Sequence, residues 1–326
     1  MSKGKLAIFP PSTDINGDNH LTIGGCDAIA LAEEYGTPLY LFDEEALRHK
    51  CREFVQEFSQ RYPDVLVIYA CKAYINTGLA RIFDEEGLGL DVVSGGELAV
   101  AQAVGYPPEK VYFHGNNKGP EELERALSWD LGRVVVDNFH ELELLNEIAG
   151  RAGRRQDILL RVSPGVDAHT HGHTTTGILD SKFGVPIEGG QAEKLVKRAL
   201  AASDVNLIGL HFHLGSPVFE LEPYRQAIDI TMAFAAEMRE KHGLSLQEFS
   251  PGGGFAVQYT EDEPPPEVAE YASVIASALL ENCKEPDMPP PRLVIEPGRA
   301  IVGQAGVAVY RVGSTKDVPG IRRYIS

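Results

Sequence analysis

Cysteine is scarce and scattered: Cys26, Cys51, Cys71 and Cys283 are the four in 326 residues, and no two stand at C-x-x-C spacing. Such spacing argues against a zinc ribbon or a redox pair and offers no disulfide framework. No apolar run approaches the roughly 18 to 20 residues that a membrane helix needs. The opening MSKGKLAIFPPSTD has basic residues but lacks the apolar core of a secretory signal, so a cytoplasmic address is expected. Clusters of lysine and arginine are missing too. With 30 basic against 47 acidic residues the formal net charge is −17, which repels a phosphate backbone and argues against nucleic-acid binding. A small anionic ligand stays compatible with that balance, through backbone N–H groups and one or two arginines.

What the chain does have is a regular alternation. Apolar runs fall at 65–70, 90–94, 111–115, 134–137, 158–162, 207–215, 246–254 and 293–298. Most are followed by a segment of helical spacing, such as GELAVAQAVG after the second run and PYRQAIDITMAFAAEMREKHG after the sixth. Continuous apolar strands alternating with helices signal a parallel sheet buried on both faces. Eight such units, with no G-x-G-x-x-G after the first, favour a closed (β/α)8 barrel of TIM type over a doubly wound sheet. Two proline patches, at 263–266 and 288–291, read as loops, because proline cannot donate to a helix or a sheet ladder. Residues 1–36 precede the barrel, and 301–326 read as strand, turn, strand, the start of a second β-rich domain cut short.

Barrel enzymes place their chemistry at the C-terminal ends of the strands. Those ends carry Lys72, Asp91, Ser94, His114, Arg161, His211, His213, Gly252, Gly253, Gly254, Glu296 and Arg299. Lys72 follows the first run, and desolvation inside a barrel mouth is expected to depress its pKa and make the amine a nucleophile; a surface loop is the alternative. Three glycines after the seventh run let backbone N–H groups converge on a phosphate, or simply form a tight turn. Ser216 stands close enough in sequence to His213 to add a hydroxyl. Glu296 can hold a pyridine nitrogen protonated, or can be a buried ion pair with Arg299 or Arg161. His211 and His213, two apart on a strand, share a face, which also suits a metal-dependent barrel hydrolase. Apart from Asp91 and Glu296, nothing at the strand ends completes such a ligand set, so no metal is expected. His169, His171 and His173 sit in a Thr/Gly/His loop after the fifth run and read as ligand-contacting or solvated.

Taken together, YACKA, LDVVSGGEL, HFHLGS, GGG and EPGR resemble the motifs of the pyridoxal-phosphate-dependent decarboxylases of the alanine-racemase-like barrel fold, over about residues 20–326. FHGNNKGPEEL (113–123), the loop 166–184 and the opening 22–48 resemble the diaminopimelate branch. The resemblance implies pyridoxal 5′-phosphate as cofactor, Lys72 as the Schiff-base lysine, and Asp91 near that end of the cofactor. It implies His213 against the pyridine ring, with Ser216 and Gly252, Gly253 and Gly254 at the phosphate. It also implies Glu296 at the ring nitrogen, Pro297, Gly298 and Arg299 in contact with the cofactor, and Arg299 at a substrate carboxylate. Lys72, His213 and Glu296 are the catalytic expectation. The implied reaction is decarboxylation of meso-diaminopimelate to L-lysine, the last step of lysine biosynthesis. Decarboxylases of ornithine, arginine or carboxynorspermidine are the alternatives on this fold. The implied domains are an N-terminal segment 1–36, a cofactor-binding barrel 37–300 and a partial β domain 301–326. A homodimer is expected of the full-length family enzyme. The family's C-E-S-G-D motif, whose cysteine supplies a proton across the dimer, does not occur in this chain, so the chain as given is expected to be catalytically incomplete.

Overall fold

Runs of Val, Ile and Leu with both faces covered build a barrel wall, and each of the eight runs forms one strand. The computed structural model describes residues 8–167, 181–260, 263–284 and 288–326. The barrel strands are Val65–Ala70, Gly89–Val92, Val111–Phe113, Arg133–Val136, Gln156–Ser163, Val205–His211, Glu248–Gly252 and Arg292–Ile295. Each pairs in parallel with the next, and the eighth returns to the first through Leu293, Val294 and Ile295 against Val65, Leu66 and Val67. The sheet therefore closes, as the alternation of the sequence implies. A short strand, Val185–Pro186, adds alongside the end of the fifth.

Several strands stop sooner than the apolar runs do. The sixth ends at His211 and the eighth at Ile295, so His213 and Glu296 lie in the loops beyond. Hydrophobicity continues past the hydrogen-bonded ladder because those loop residues are buried over the barrel mouth. Inside the wall, Ile68, Tyr112, Val135, Leu159, Ile208 and Val294 form one packed layer drawn from six strands. Burying each such side chain contributes about 1.5–3 kcal/mol, so the interior is a filled core and not a pore.

The helices wrap the outside with local signals at their ends. Asn76 caps Thr77–Glu85 by accepting from the Leu79 N–H at 2.9 Å, and that helix buries Leu79, Ala80 and Phe83. The longest, Glu222–His242, ends where Gly243 takes φ 74°, a left-handed cap that glycine adopts without strain. Among the described residues no helix is long and apolar enough to cross a membrane.

Two compact units emerge. The larger comprises Lys50–Val257 and Pro265–Ala300 and holds the barrel. The smaller comprises the described residues of Met1–His49, Gln258–Pro264 and Ile301–Ser326. Within it, a three-stranded antiparallel sheet runs through Asp14–Ile15, Leu21–Ile23 and Cys26–Asp27, and Leu39–Phe42 pairs antiparallel with Gly306–Val309. The C-terminal segment holds three strands where the sequence suggests two. Thr315–Val318 and Arg322–Ile325 form an exposed hairpin whose polar residues give no alternating apolar signal.

Candidate active site

Three consecutive loops at the C-terminal end of the barrel are built alike. The helices Gly95–Ala103, Pro120–Ser128 and Phe139–Arg151 each carry a glutamate at their third residue that turns back onto the preceding loop. Glu97 Oε2 accepts from the Val93 N–H at 2.7 Å. Glu122 accepts from Gly119 N–H at 2.9 Å and from Gly95 N–H at 2.6 Å, tying the third loop to the second. Glu141 accepts from Asp137 N–H at 3.0 Å and from the Lys118 ammonium at 2.6 Å, tying the fourth loop to the third. Lys118 also donates to Gly115 O and Val135 O, both at 2.8 Å. The segments bearing Asp91, His114 and Asp137 are thereby fixed to one another. Ser94, one of the strand-end candidates, is the N-cap of the first of these helices and accepts from Glu97 N–H.

Lys72 sits on a single turn, Cys71–Ala73, immediately after the first strand. Pro297 and Gly298 lie against that turn. Pro297 O accepts from Ala70 N–H at 3.0 Å, and a Cβ on Gly298 would lie 3.1 Å from the Ala70 Cβ. Lys72 Nζ donates to Asp91 Oδ2 at 3.0 Å, with the lysine side chain 48% exposed and Asp91 fully buried. The depressed lysine pKa expected from the sequence is corrected here. Desolvation does act to lower it, but the Asp91 and Glu296 carboxylates outweigh that and hold the amine above its ordinary value. Spacing along a chain does not reveal how near a carboxylate stands.

Glu296 is not the ion pair with Arg299 or Arg161 that the sequence left open. Its carboxylate takes a hydrogen bond from Ser250 Oγ at 2.8 Å and meets His211 Nε2 at 3.2 Å. Burial acts to raise its pKa, yet His211, which meets it at 3.2 Å, brings it down to about 2, so it is an anion at neutral pH. The two histidines of H-x-H part company. His211 serves Glu296, whereas His213, beyond the strand, accepts from Gly253 N–H at its Nδ1 at 3.2 Å. Burial, with Lys72, Arg161 and His211 adding to it, pushes His213 well below the ordinary histidine range, so its ring is neutral.

The three glycines divide in the same way. Gly252 N–H donates to Ser250 Oγ and Gly253 N–H to His213, so both amides serve the protein. Their lack of side chains serves close packing: a Cβ on Gly253 would lie 2.1 Å from Glu296 O. Gly254, at φ 104°, instead lines a cavity of about 250 Å³ together with Lys72, His213, Ser216, Glu296 and Arg299. Arg299 donates to Ser216 Oγ at 2.6 Å, which places a cation, a hydroxyl and a glycine backbone at one end of that cavity. A second cavity of about 460 Å³ opens from Lys72 past His114, Asn116, Arg161, Lys182 and Phe183. Arg161 is buried there, its guanidinium 4.5 Å from the Phe183 ring centre and 3.9 Å from Asp137. Burial lowers the Arg161 pKa, with Asp137 opposing. His169, His171, His173 and Thr174, Thr175 and Thr176 lie outside the described residues, as does most of the 166–184 loop.

Asp91 Oδ1, His114 Nε2, Asp137 Oδ1 and His211 Nδ1 are buried with no hydrogen-bond partner among the described residues. Native proteins rarely leave such atoms unpaired, and His114 and His211 line the second cavity, so these atoms point to a polar ligand at this end of the barrel. A pyridoxal phosphate fits this donor set. It offers an aldehyde for the lysine, a ring nitrogen for a carboxylate held ionised, a flat ring for a neutral imidazole and a phosphate for the Ser216, Gly254 and Arg299 end.

Residues 45–303 match the family described as pyridoxal-dependent decarboxylase, pyridoxal binding domain. A diaminopimelate decarboxylase of Bacillus subtilis is 43% identical over 311 residues, covering 95% of this chain and 71% of that protein. The crystal structure of diaminopimelate decarboxylase from M. jannaschii in complex with L-lysine superposes with a TM-score of 0.88 at 33% identity, covering 97% of this chain and 72% of that one. The corresponding Helicobacter pylori structure, also complexed with L-lysine, gives 0.82 at 29% identity over 92% of this chain and 72% of that one.

Proposed function

This chain belongs to the diaminopimelate decarboxylase family of pyridoxal-dependent decarboxylases, and from that premise we propose that it removes CO₂ from meso-diaminopimelate to leave L-lysine. One observation carries the assignment of roles: Lys72, Glu296 and the Ser216, Gly254 and Arg299 cradle all line a single cavity. Lys72 would hold the aldehyde carbon of pyridoxal phosphate, Glu296 its ring nitrogen, His213 its ring face and the cradle its phosphate. When bound, the pyridinium ring supplies an electron sink for the electron pair left by departing CO₂.

The chain's own groups do the rest. Asp91 Oδ2 orients the Lys72 amine and holds its proton at Nζ until the amine is needed. Glu296, ionised and anchored by Ser250 and His211, keeps a proton on whatever nitrogen faces it. His213, neutral and fixed by Gly253, presents an uncharged ring. Burial of Asp91, His211 and Glu296 excludes water from the floor of the mouth, which strengthens each of these interactions. Arg299, bonded to Ser216, belongs first to the phosphate end, and a substrate carboxylate is its second role in this reading. A homodimer in the cytoplasm, acting on a small amino acid, completes the proposal.

Product analysis tests it. Incubation of the chain, completed with a homologous C-terminal segment that carries the C-E-S-G-D motif, with pyridoxal phosphate and diaminopimelate should release CO₂ and L-lysine in equal amounts, with ornithine and arginine left unconverted. Release of putrescine or agmatine at a comparable rate would move the chain to another branch of the family.

A further inference from the structure

His114 lies immediately beyond the third barrel strand and is 4% exposed, and its Nε2 points between two carboxylates. Asp91 Oδ1 is 3.7 Å away and Glu296 Oε1 is 3.6 Å away. Neither distance is a direct hydrogen bond, and both Nε2 and Asp91 Oδ1 lack any partner among the described residues. Asp91 is the residue that receives Lys72, and Glu296 is the residue that receives His211. One imidazole therefore stands at the junction of the lysine end and the ring-nitrogen end of the site. It is held there from behind. His114 N–H donates to Val92 O at 2.8 Å, and Lys118 clamps the carbonyl of the next residue, Gly115.

We propose that His114 is a positioning residue that couples the two carboxylates of the mouth electrostatically, its Nε2–H directed between Asp91 and Glu296 so that the first faces Lys72 and the second faces the ring nitrogen. The inference rests on the cofactor reading above only for what the two carboxylates serve. Two flanking carboxylates select the tautomer with hydrogen on Nε2, since an acceptor there would face two further acceptors. The groups facing His114 are Asp91 on the second strand, Glu296 after the eighth, His211 on the sixth with its ring centre 5.0 Å away, Lys72, and Lys118 on its own loop. Burial is the largest influence on His114 and keeps it neutral, with Glu296 opposing and His211, Lys72 and Lys118 reinforcing. A neutral donor in that position separates two buried carboxylates without adding a charge that would pull Lys72 away from Asp91.

The test uses the cofactor-free chain, so that it stands apart from whether pyridoxal phosphate binds. Competitive acetylation across pH, followed by peptide mapping, reads the Lys72 amine directly. His114→Leu removes the donor, one of the two carboxylates should take up a proton, and the Lys72 titration should fall by about one pH unit. His114→Gln places an amide N–H where Nε2–H was and should restore the unsubstituted titration. A lysine titration unmoved by His114→Leu, or moved equally by both substitutions, would overturn the proposal and leave His114 a packing residue. If His114→Leu does not fold, ¹⁵N spectra of the unsubstituted chain still decide. They should show a neutral imidazole with hydrogen on Nε2 from roughly pH 6 to 9, and an Nδ1–H tautomer or an imidazolium there contradicts the proposal. Failure of the cofactor reading has a separate signature: no visible absorbance appears on adding pyridoxal phosphate, whatever His114 does.

Discussion

The barrel buries a carboxylate at each end, and the two are treated differently. At the N-terminal end Glu248 is 3% exposed and receives Arg133 Nη2 at 2.9 Å, Arg133 Nε at 3.2 Å and Tyr112 Oη at 2.9 Å, with Arg292 3.8 Å away. Every partner comes from the start or middle of a strand, so the cluster ties the third, fourth, seventh and eighth strands into one closed floor. At the C-terminal end Glu296 is equally buried, yet its neighbours Asp91, His114 and His211 each keep an atom with no partner among the described residues. A saturated ionic cluster rigidifies a fold, and an unsaturated one costs stability until something binds. The contrast needs no sequence motif: one end of the barrel satisfies its buried carboxylate with the chain's own groups, and the other keeps buried polar atoms unpaired among the described residues, where we place the ligand.

Breaking each end in turn sharpens that contrast. Glu296→Gln, nearly isosteric, should keep the fold and the bound cofactor. In a chain completed with the C-E-S-G-D-bearing segment it should slow CO₂ release roughly 10²- to 10³-fold, the usual effect of losing one preorganised electrostatic partner. Near-normal turnover in a stopped assay would make the acid structural. At the other end, Arg133→Met leaves Glu248 buried with a weakened partner set and should remove about 3 kcal/mol of stability in urea unfolding. Because the floor takes no part in binding, the visible band of the bound cofactor should be unchanged; a shifted band would dissolve the distinction between the ends.

Acid should weaken the mouth. His114 and His213 have folded pKa values held below the ordinary 6.5 by burial, so the unfolded chain binds their protons more readily. Their contribution is complete above 6.5 and declines as pH falls below it, by about 1.4 kcal/mol per histidine for each pH unit. Glu296 adds a later loss, beginning below its ordinary 4.5 and continuing towards about 2. Urea midpoints at a series of pH values should fall from 6.5 downwards, and His213→Phe should flatten the slope; a midpoint constant to pH 5 contradicts the neutral-histidine account. The smallest effect belongs to Ser216→Ala, which removes one hydrogen bond from Arg299. Cofactor affinity measured by absorbance titration should drop by about 1 kcal/mol, a few-fold to tenfold.

Much of this was legible in the chain because barrel strands announce themselves. Eight apolar runs at regular intervals leave few other closed architectures, and residues at or just beyond the C-terminal ends of strands face the mouth, which marks Lys72, Asp91, His114, His213 and Glu296. What stayed hidden depends on distance. The raised amine of Lys72 follows from Asp91 at 3.0 Å, a separation that an offset of 19 positions along the chain does not encode. Glu97, Glu122 and Glu141 look like ordinary acidic residues in the first turns of helices, and only the folded loops reveal that two of them lace neighbouring loops together. The glycine run looks in sequence like one device, whereas Gly252 and Gly253 serve packing and Gly254 lines the cavity.

The central claim is that the unfinished end of the barrel receives pyridoxal phosphate on Lys72. Borohydride reduction of the loaded chain, followed by proteolysis and mass mapping, tests it most directly. The account predicts a single stable pyridoxyl adduct on the peptide containing Tyr69-Ala70-Cys71-Lys72-Ala73, absent from a Lys72→Ala chain that still unfolds cooperatively. An adduct on another lysine, or none in folded protein with the cofactor present, would contradict it.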